Sequence, residues 1–157
     1  MQFIQAQQDR WQRLDGEGPA QPVAHALLSV AQWQAARATW PADLPVGLAL
    51  ANTDEVEDLA SDLPRLALIT LPFPKWTDGR AYSQARLLRA RLRFAGEIRA
   101  TGDVLVDMLP LLARTGFTAV VLRAGENEAS ARRALGLITD HYQGDVREPR
   151  PQFARMA

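Results

Sequence analysis

Val46-Gly47-Leu48-Ala49-Leu50 and Leu66-Ala67-Leu68-Ile69-Thr70-Leu71 are two short runs, apolar but for Thr70, with no charge in them. Between them lie Asn52-Thr53-Asp54, which offer helix caps, a segment Glu55–Leu63 with helical spacing, and Pro64, which ends it. An apolar run of four to eight residues bounded by turn signals reads as a strand buried on both faces. Strand, helix and strand in that order make a βαβ unit, whose strands are parallel.

The same rhythm continues downstream. Pro72–Thr77 forms a loop, and a helix is expected from Asp78 to Arg93. Gly96 breaks the chain before a strand at Glu97–Ala100. Thr101-Gly102-Asp103 then caps a helix from Val104 to Thr115, ended by Gly116. A strand follows at Thr118–Leu122, and Gly125-Glu126-Asn127 opens a last helix reaching Tyr142, closed by Gly144. Pro110 falls inside one of these helices. It must kink the helix or mark a restart, because it removes a backbone donor. Upstream, Ala24–Ser29 reads as a strand and Val30–Trp40 as a helix stopped by Pro41. Trp11–Leu14 reads as a short strand entering the turn Asp15-Gly16-Glu17-Gly18-Pro19, as in one half of a hairpin.

The expected fold is a single α/β domain. It has four to five mostly parallel strands in βα units, as an open sheet or a partial barrel, with a short N-terminal β element. A closed eight-stranded barrel takes about 250 residues, and this chain has 157. The segments are a strand and turn over 1–22, the α/β domain over 23–144 and a loose tail over 145–157.

Composition narrows the function classes. Apolar residues make up 47% and charged residues 23%, and 18 basic residues balance 18 acidic ones. Zero net charge gives no footprint of a general nucleic-acid binder. Cysteine is absent, which excludes disulfides, thiolate chemistry and cysteine-held zinc or iron–sulfur clusters. His25 and His141 are the two histidines, too few for a histidine-rich metal site. No run approaches the roughly 18 apolar residues of a membrane span. The polar start Met1–Arg10 lacks an apolar signal core, so the expected location is cytoplasmic. No G-x-G-x-x-G follows a strand and no G-x-x-x-x-G-K-[ST] occurs. No cofactor is therefore expected.

In a parallel α/β sheet, ligands bind beyond the carboxyl ends of the strands. The residues expected on that rim include Lys75, the single lysine of the chain, with Arg80, Arg99 and Arg123. Thr77 and Tyr82 stand beside them, and several helix N-termini point there, where free N–H groups favour anions. This is an expected pocket for a small oxyanion: sulfite, sulfate or a phosphate-like group. Arg80 opens its helix with a cation, which the helix dipole disfavours. Either a salt bridge to Asp78 or Asp103, or a bound anion, compensates it. Tyr82 either packs at the base of the loop or offers its hydroxyl to a ligand. Lys75, Asp78 and Asp103 are the candidate catalytic groups, with lysine stabilising charge and an aspartate moving a proton. Asp78 and Asp103 also read as helix N-caps. In the helix after Asp78, Ala81, Ala85, Leu88 and Leu92 form the core face. Arg86, Arg89 and Arg93 form another, which is a solvated face or a docking surface for an acidic partner. Leu105, Met108, Leu109 and Leu112 face inward in the next helix, and Ala131, Ala134, Leu135, Ile138 and Tyr142 in the last.

The stretch Phe73-Pro74-Lys75-Trp76-Thr77-Asp78-Gly79-Arg80-Ala81-Tyr82-Ser83-Gln84-Ala85-Arg86-Leu87-Leu88-Arg89 resembles the signature of a bacterial family known as domain of unknown function 934. The resemblance continues through Gly96–Leu105, Arg114-Thr115-Gly116-Phe117 and Tyr142-Gln143, and it spans Leu44–Gln143. The family pattern has phenylalanine at the Trp76 position and glycine at Ala81, so the chain departs from it at two places. Members are named as oxidoreductases of sulfite reduction, from genes lying beside those of sulfite reductase. The family has no established catalytic residues to carry over. What the resemblance implies is an accessory protein of assimilatory sulfate and sulfite reduction with a small oxyanion as ligand. The alternatives are an enzyme acting on a small anionic substrate, or an adaptor binding sulfite reductase through the arginine face. A homo-oligomer is left open.

Overall fold

Seven parallel strands among the described residues form one sheet, in the order β1-β7-β6-β5-β4-β3-β2. The computed structural model describes residues 1–14, 16, 20–138 and 141–155. Strands β3 (Ala26–Ser29), β4 (Val46–Ala49), β5 (Leu66–Phe73), β6 (Glu97–Gly102) and β7 (Ala119–Val120) lie side by side in chain order. Each crossover therefore steps the same way across the sheet, which puts the helices on one face. Helix α1 (Val30–Ala36) packs on β3 and β4, α2 (Arg80–Arg86) packs on β5, and α3 (Leu109–Thr115) lies between α2 and α4 (Glu128–Leu137).

The helix-side core uses every second strand residue. Ala26, Leu28, Val46, Leu48, Ile69, Leu71, Phe73, Ile98, Ala100 and Val120 all join it. A register shift between β4 and β5 keeps this alternation in phase. Val46 pairs with Leu66 but Gly47 pairs with Leu68, so one extra residue is absorbed at Ala67. Trp33 and Trp40 meet edge to face at 6.3 Å, and the Arg65 guanidinium covers the Trp33 ring at 5.1 Å.

The two further strands, β1 (Gln2–Phe3) and β2 (Gln12–Arg13), raise the count above the four to five expected. They occupy opposite edges of the sheet: β1 pairs with β7 and β2 pairs with β3. The hairpin expected around Trp11–Leu14 is instead a parallel edge pairing. A flat seven-stranded sheet would separate the two edges by about 29 Å, at about 4.8 Å per strand. Ile4–Trp11 must bridge them, and Ala6–Gln8 is wound into a 3-10 turn that rises only about 2 Å per residue. The linker is thus too short for a flat sheet, and the sheet curls into a half-barrel. The N-terminal segment straps its concave face. Trp11 is buried there, and its ring lies 3.1 Å from where a Cβ on Gly47 would stand.

Several helices are shorter than their periodicity suggested. Between Glu55 and Leu63 there is no α-helix. Asp54 accepts from the Ala51 N–H at 2.7 Å, and 3-10 turns follow at Val56–Leu59 and Leu63–Arg65. The helix expected over Asp78–Arg93 is α2 continued by one wider π turn, Leu87–Arg91. Pro110 marks a restart: a 3-10 turn at Val106–Met108 precedes α3, and the proline sits in its first turn, where its missing donor costs nothing. Ala81, Ala85 and Leu88 are fully buried, as are Leu109, Leu112 and Ala131. Helix α4 ends at Leu137, and Ile138 is already extended. Ile138 and Tyr142 are therefore 59% and 69% exposed rather than inward-facing. Tyr142 instead meets Phe153 of the tail helix α5 (Gln152–Arg155), at 6.3 Å between rings. No helix among the described residues is long and apolar enough to cross a membrane.

Candidate functional site

The carboxyl ends of β3 to β6 open into the mouth of the half-barrel, and the loop after β5 forms one lip. That loop is fixed by β6. Gly102 has φ +89°, and a Cβ there would lie 2.5 Å from the Phe73 carbonyl oxygen, so the chain can turn over Phe73 only with glycine. The Asp103 N–H then donates to the Phe73 carbonyl at 2.7 Å, and the Asp103 carboxylate accepts from the Trp76 N–H at 3.0 Å.

The cations of this lip are held by carboxylates. The Asp78 carboxylate accepts from Arg80 Nη2 at 2.6 Å, Arg80 Nε at 3.0 Å, the Arg80 N–H at 3.2 Å and Asn52 Nδ2 at 3.0 Å. The Arg80 guanidinium holds the Asp78 carboxyl well below the usual carboxylate range, and Asp78 raises Arg80 in return. Asp78 is thus what compensates the cation at the start of α2. Arg123 donates to Asp103 at 3.0 Å and to Glu126 at 3.1 Å. Lys75 and Thr77 are exposed, and Lys75 has no carboxylate partner among the described residues. Tyr82 packs: its ring meets Phe73 at 5.1 Å and Phe117 at 6.4 Å, and burial pushes its hydroxyl pKa up.

Arg99 is not on the rim. It is the third residue of β6, which runs on to Gly102. It points to the concave face, where it donates to Asp9 of the strap at 2.6 Å and to Glu97 at 2.7 Å, with its side chain 4% exposed. Its role in this structure is to tie the strap to the middle of the sheet. The alternation Glu97-Ile98-Arg99-Ala100 carried that signal, since Ile98 and Ala100 take the helix side.

The mouth itself holds a cleft of about 480 Å³ whose lining includes Arg13, Ser29, Ala49, Thr70, Pro72 and Thr101. Ala49, Thr70, Pro72 and Thr101 are the last inward-facing residues of β4, β5 and β6. Arg13, at the end of β2, enters from the sheet edge and has no carboxylate partner among the described residues. The hydroxyls of Thr70 and Thr101 make no hydrogen bond to any described residue. Ser29 Oγ accepts the Gln32 N–H in a capping box and keeps its own proton to donate. Asp54 also borders the cleft, with one carboxylate oxygen held by the Ala51 N–H. A guanidinium and three hydroxyl donors around one opening can hold a small oxyanion. Sequence reading passed over Arg13 because it lies in a two-residue edge strand that only the tertiary pairing with β3 brings to the mouth. Among the described residues, no group of three or more histidine, aspartate or glutamate side chains could hold a metal ion.

No curated protein and no solved structure matches the chain. A family model described as a bacterial protein of unknown function, DUF934, matches residues 47–153. That match runs from Gly47 under Trp11, through the lip and Arg99, to Phe153 in the tail. The chain belongs to the DUF934 family of bacterial proteins of unknown function.

Proposed function

We propose that this protein is a binding protein for a small oxyanion, seated at the mouth of the half-barrel, and that it serves assimilatory sulfate and sulfite reduction as an accessory. The observation that carries the reading is the mouth cleft, where, among the described residues, Arg13 makes no ion pair and the Thr70 and Thr101 hydroxyls make no hydrogen bond. An unmatched guanidinium beside unmatched donors calls for an acceptor. The sequence resemblance, through the gene neighbourhood it implies, makes sulfite the first oxyanion to test and sulfite reductase the first partner. Lys75 on the lip adds a cation to the approach, while Arg80 and Arg123 are already neutralised.

Binding is favoured over turnover because the candidate proton carriers are occupied. Asp78 is held ionised by Arg80, and a carboxylate so stabilised is a weak base and no acid at neutral pH. The adaptor reading loses its uniform arginine face, because Arg89 turns inward to the Gly116 carbonyl at 3.0 Å.

The test is thermal unfolding with sulfite, sulfate, phosphate and acetate. A ligand of the native state adds roughly 2.7 kcal/mol of stability at 100 times its Kd. The expected result is a shift with a tetrahedral or pyramidal oxyanion that Arg13→Ala abolishes and Arg123→Ala leaves in place. No shift with any of the four, or one that survives Arg13→Ala, overturns the proposal.

A further inference from the structure

At the opposite end of the sheet, a cleft of about 470 Å³ lies between the carboxyl ends of the helices and the tail. Its lining includes Arg89, Arg147, Ala113, Phe117, Leu135 and Val146, and among the described residues contains no aspartate or glutamate. Arg89 is built into the wall. Its Nε donates to the Gly116 carbonyl and its Nη1 to the Phe94 carbonyl, and its guanidinium lies over the Phe94 ring at 5.7 Å. Gly116 has φ +114°, and any Cβ there would strike the Arg89 side chain, so the arginine is seated where only glycine admits it. A guanidinium has five N–H donors, and the two carbonyls take two of them. Burial pushes the Arg89 guanidinium pKa down, as expected of a half-buried cation without an acidic neighbour.

The second cation comes from the tail. Asp145 fixes the turn by accepting the backbone N–H groups of Arg147 at 2.8 Å and Glu148 at 3.0 Å, and it ion-pairs with Arg114 at 3.0 Å. That turn brings the Arg147 side chain to the cleft, and the nearby acids among the described residues are spent elsewhere: Asp145 on Arg114, Glu148 on Arg150. A half-buried cation is normally paired. Two arginines sharing one cleft with five apolar side chains, Met1 among them, and no acid among the described residues match an anion with an apolar body.

We propose that this cleft is a second binding site, distinct from the mouth, for an amphiphilic anion: a carboxylate or sulfonate head between Arg89 and Arg147, with an apolar body against Ala113, Phe117, Leu135 and Val146. A ligand pocket of this kind is mostly apolar with a few placed polar groups, and occupies roughly 300–1,000 Å³.

The experiment is isothermal titration of the full chain with hexanoate and benzenesulfonate, with hexanol and inorganic sulfate as controls. The expected result is binding of at least one organic anion at a Kd of about 1 mM or tighter, weaker binding of hexanol, and no competition by sulfate at equal concentration. Arg147→Glu places a carboxylate at the mouth of the cleft without touching the backbone hydrogen bonds of the turn. It should weaken hexanoate at least about tenfold with the unfolding midpoint unchanged or raised. Arg89→Lys keeps the charge but loses the fork, and should also weaken binding. Hexanol binding as tightly as hexanoate, no heat from either organic anion, or unchanged affinity in a folded Arg147→Glu each overturns the proposal.

Discussion

Asp9→Ala removes the link by which the N-terminal strap is tied to the middle of the sheet. Asp9 does two things at once: its carboxylate takes Arg99 Nη1 at 2.6 Å and the Trp11 N–H at 3.1 Å. Arg99 is 4% exposed, so water cannot replace the lost carboxylate, and Asp9 is 22% exposed. Removing one partner of a buried ion pair costs about 3–5 kcal/mol because the other charge is left uncompensated. Here Glu97 stays on Arg99 Nε at 2.7 Å, and Asp9 is only partly desolvated. The expected loss is therefore about 2–3 kcal/mol, below that range. At this chain length each kcal/mol moves the midpoint by about 2–4 °C, so the melting temperature should fall by about 5–10 °C. Asp9→Asn keeps an acceptor for the Trp11 N–H and should lose less. Urea unfolding followed by circular dichroism gives the free energy, and tryptophan fluorescence reports the packing of Trp11. A loss below about 0.5 kcal/mol, the size of an ordinary surface substitution, would refute the claim that the strap is fastened through a buried charge.

Three further outcomes are expected. Gly116→Ala must hold φ near +114° and crowd Arg89, so it should cost more than about 1 kcal/mol, read by urea unfolding. Asp145→Ala loses three hydrogen bonds that set the tail turn, and should cost about 1–2 kcal/mol while speeding proteolytic cleavage within 141–155. Asp78 is depressed below the ordinary aspartate value of about 3.9, first by the side-chain hydrogen bonds from Arg80. Its contribution to stability is therefore complete above that ordinary value and is lost as pH falls through the lower folded value. Carboxyl NMR titration should find Asp78 among the last aspartates to protonate, and Arg80→Ala should return it toward the ordinary value.

The strands buried on both faces were legible because their composition is the signal. Val46–Ala49 and Leu66–Phe73 fall within a residue or two of where the apolar runs put them. Two-residue strands carry no period, so β1 and β2 were not legible as edges, and with them went the curl of the sheet. Arg99 was misplaced because the strand was ended two residues early, which turned an inward strand position into a rim position. Arg80 and Asp78 stood two residues apart at a helix start, and that pairing was open to sequence reading as one of two alternatives. Arg13 was not, since its place at the mouth depends on a parallel pairing with β3 that no local rule supplies. The 3-10 turns after Asn52 replace a helix because the Asp54 carboxylate closes back on Ala51, a local competition that propensity alone does not rank.

The mouth of the half-barrel is proposed to hold a small oxyanion. Crystals soaked in selenate and selenite, heavier analogues of sulfate and sulfite, would test it through anomalous scattering. The expected result is a selenium peak within hydrogen-bonding distance of the Arg13 guanidinium and the Thr70 and Thr101 hydroxyls, absent in Arg13→Ala. Anomalous density confined to Lys75 or Arg147, or none at all, would contradict it.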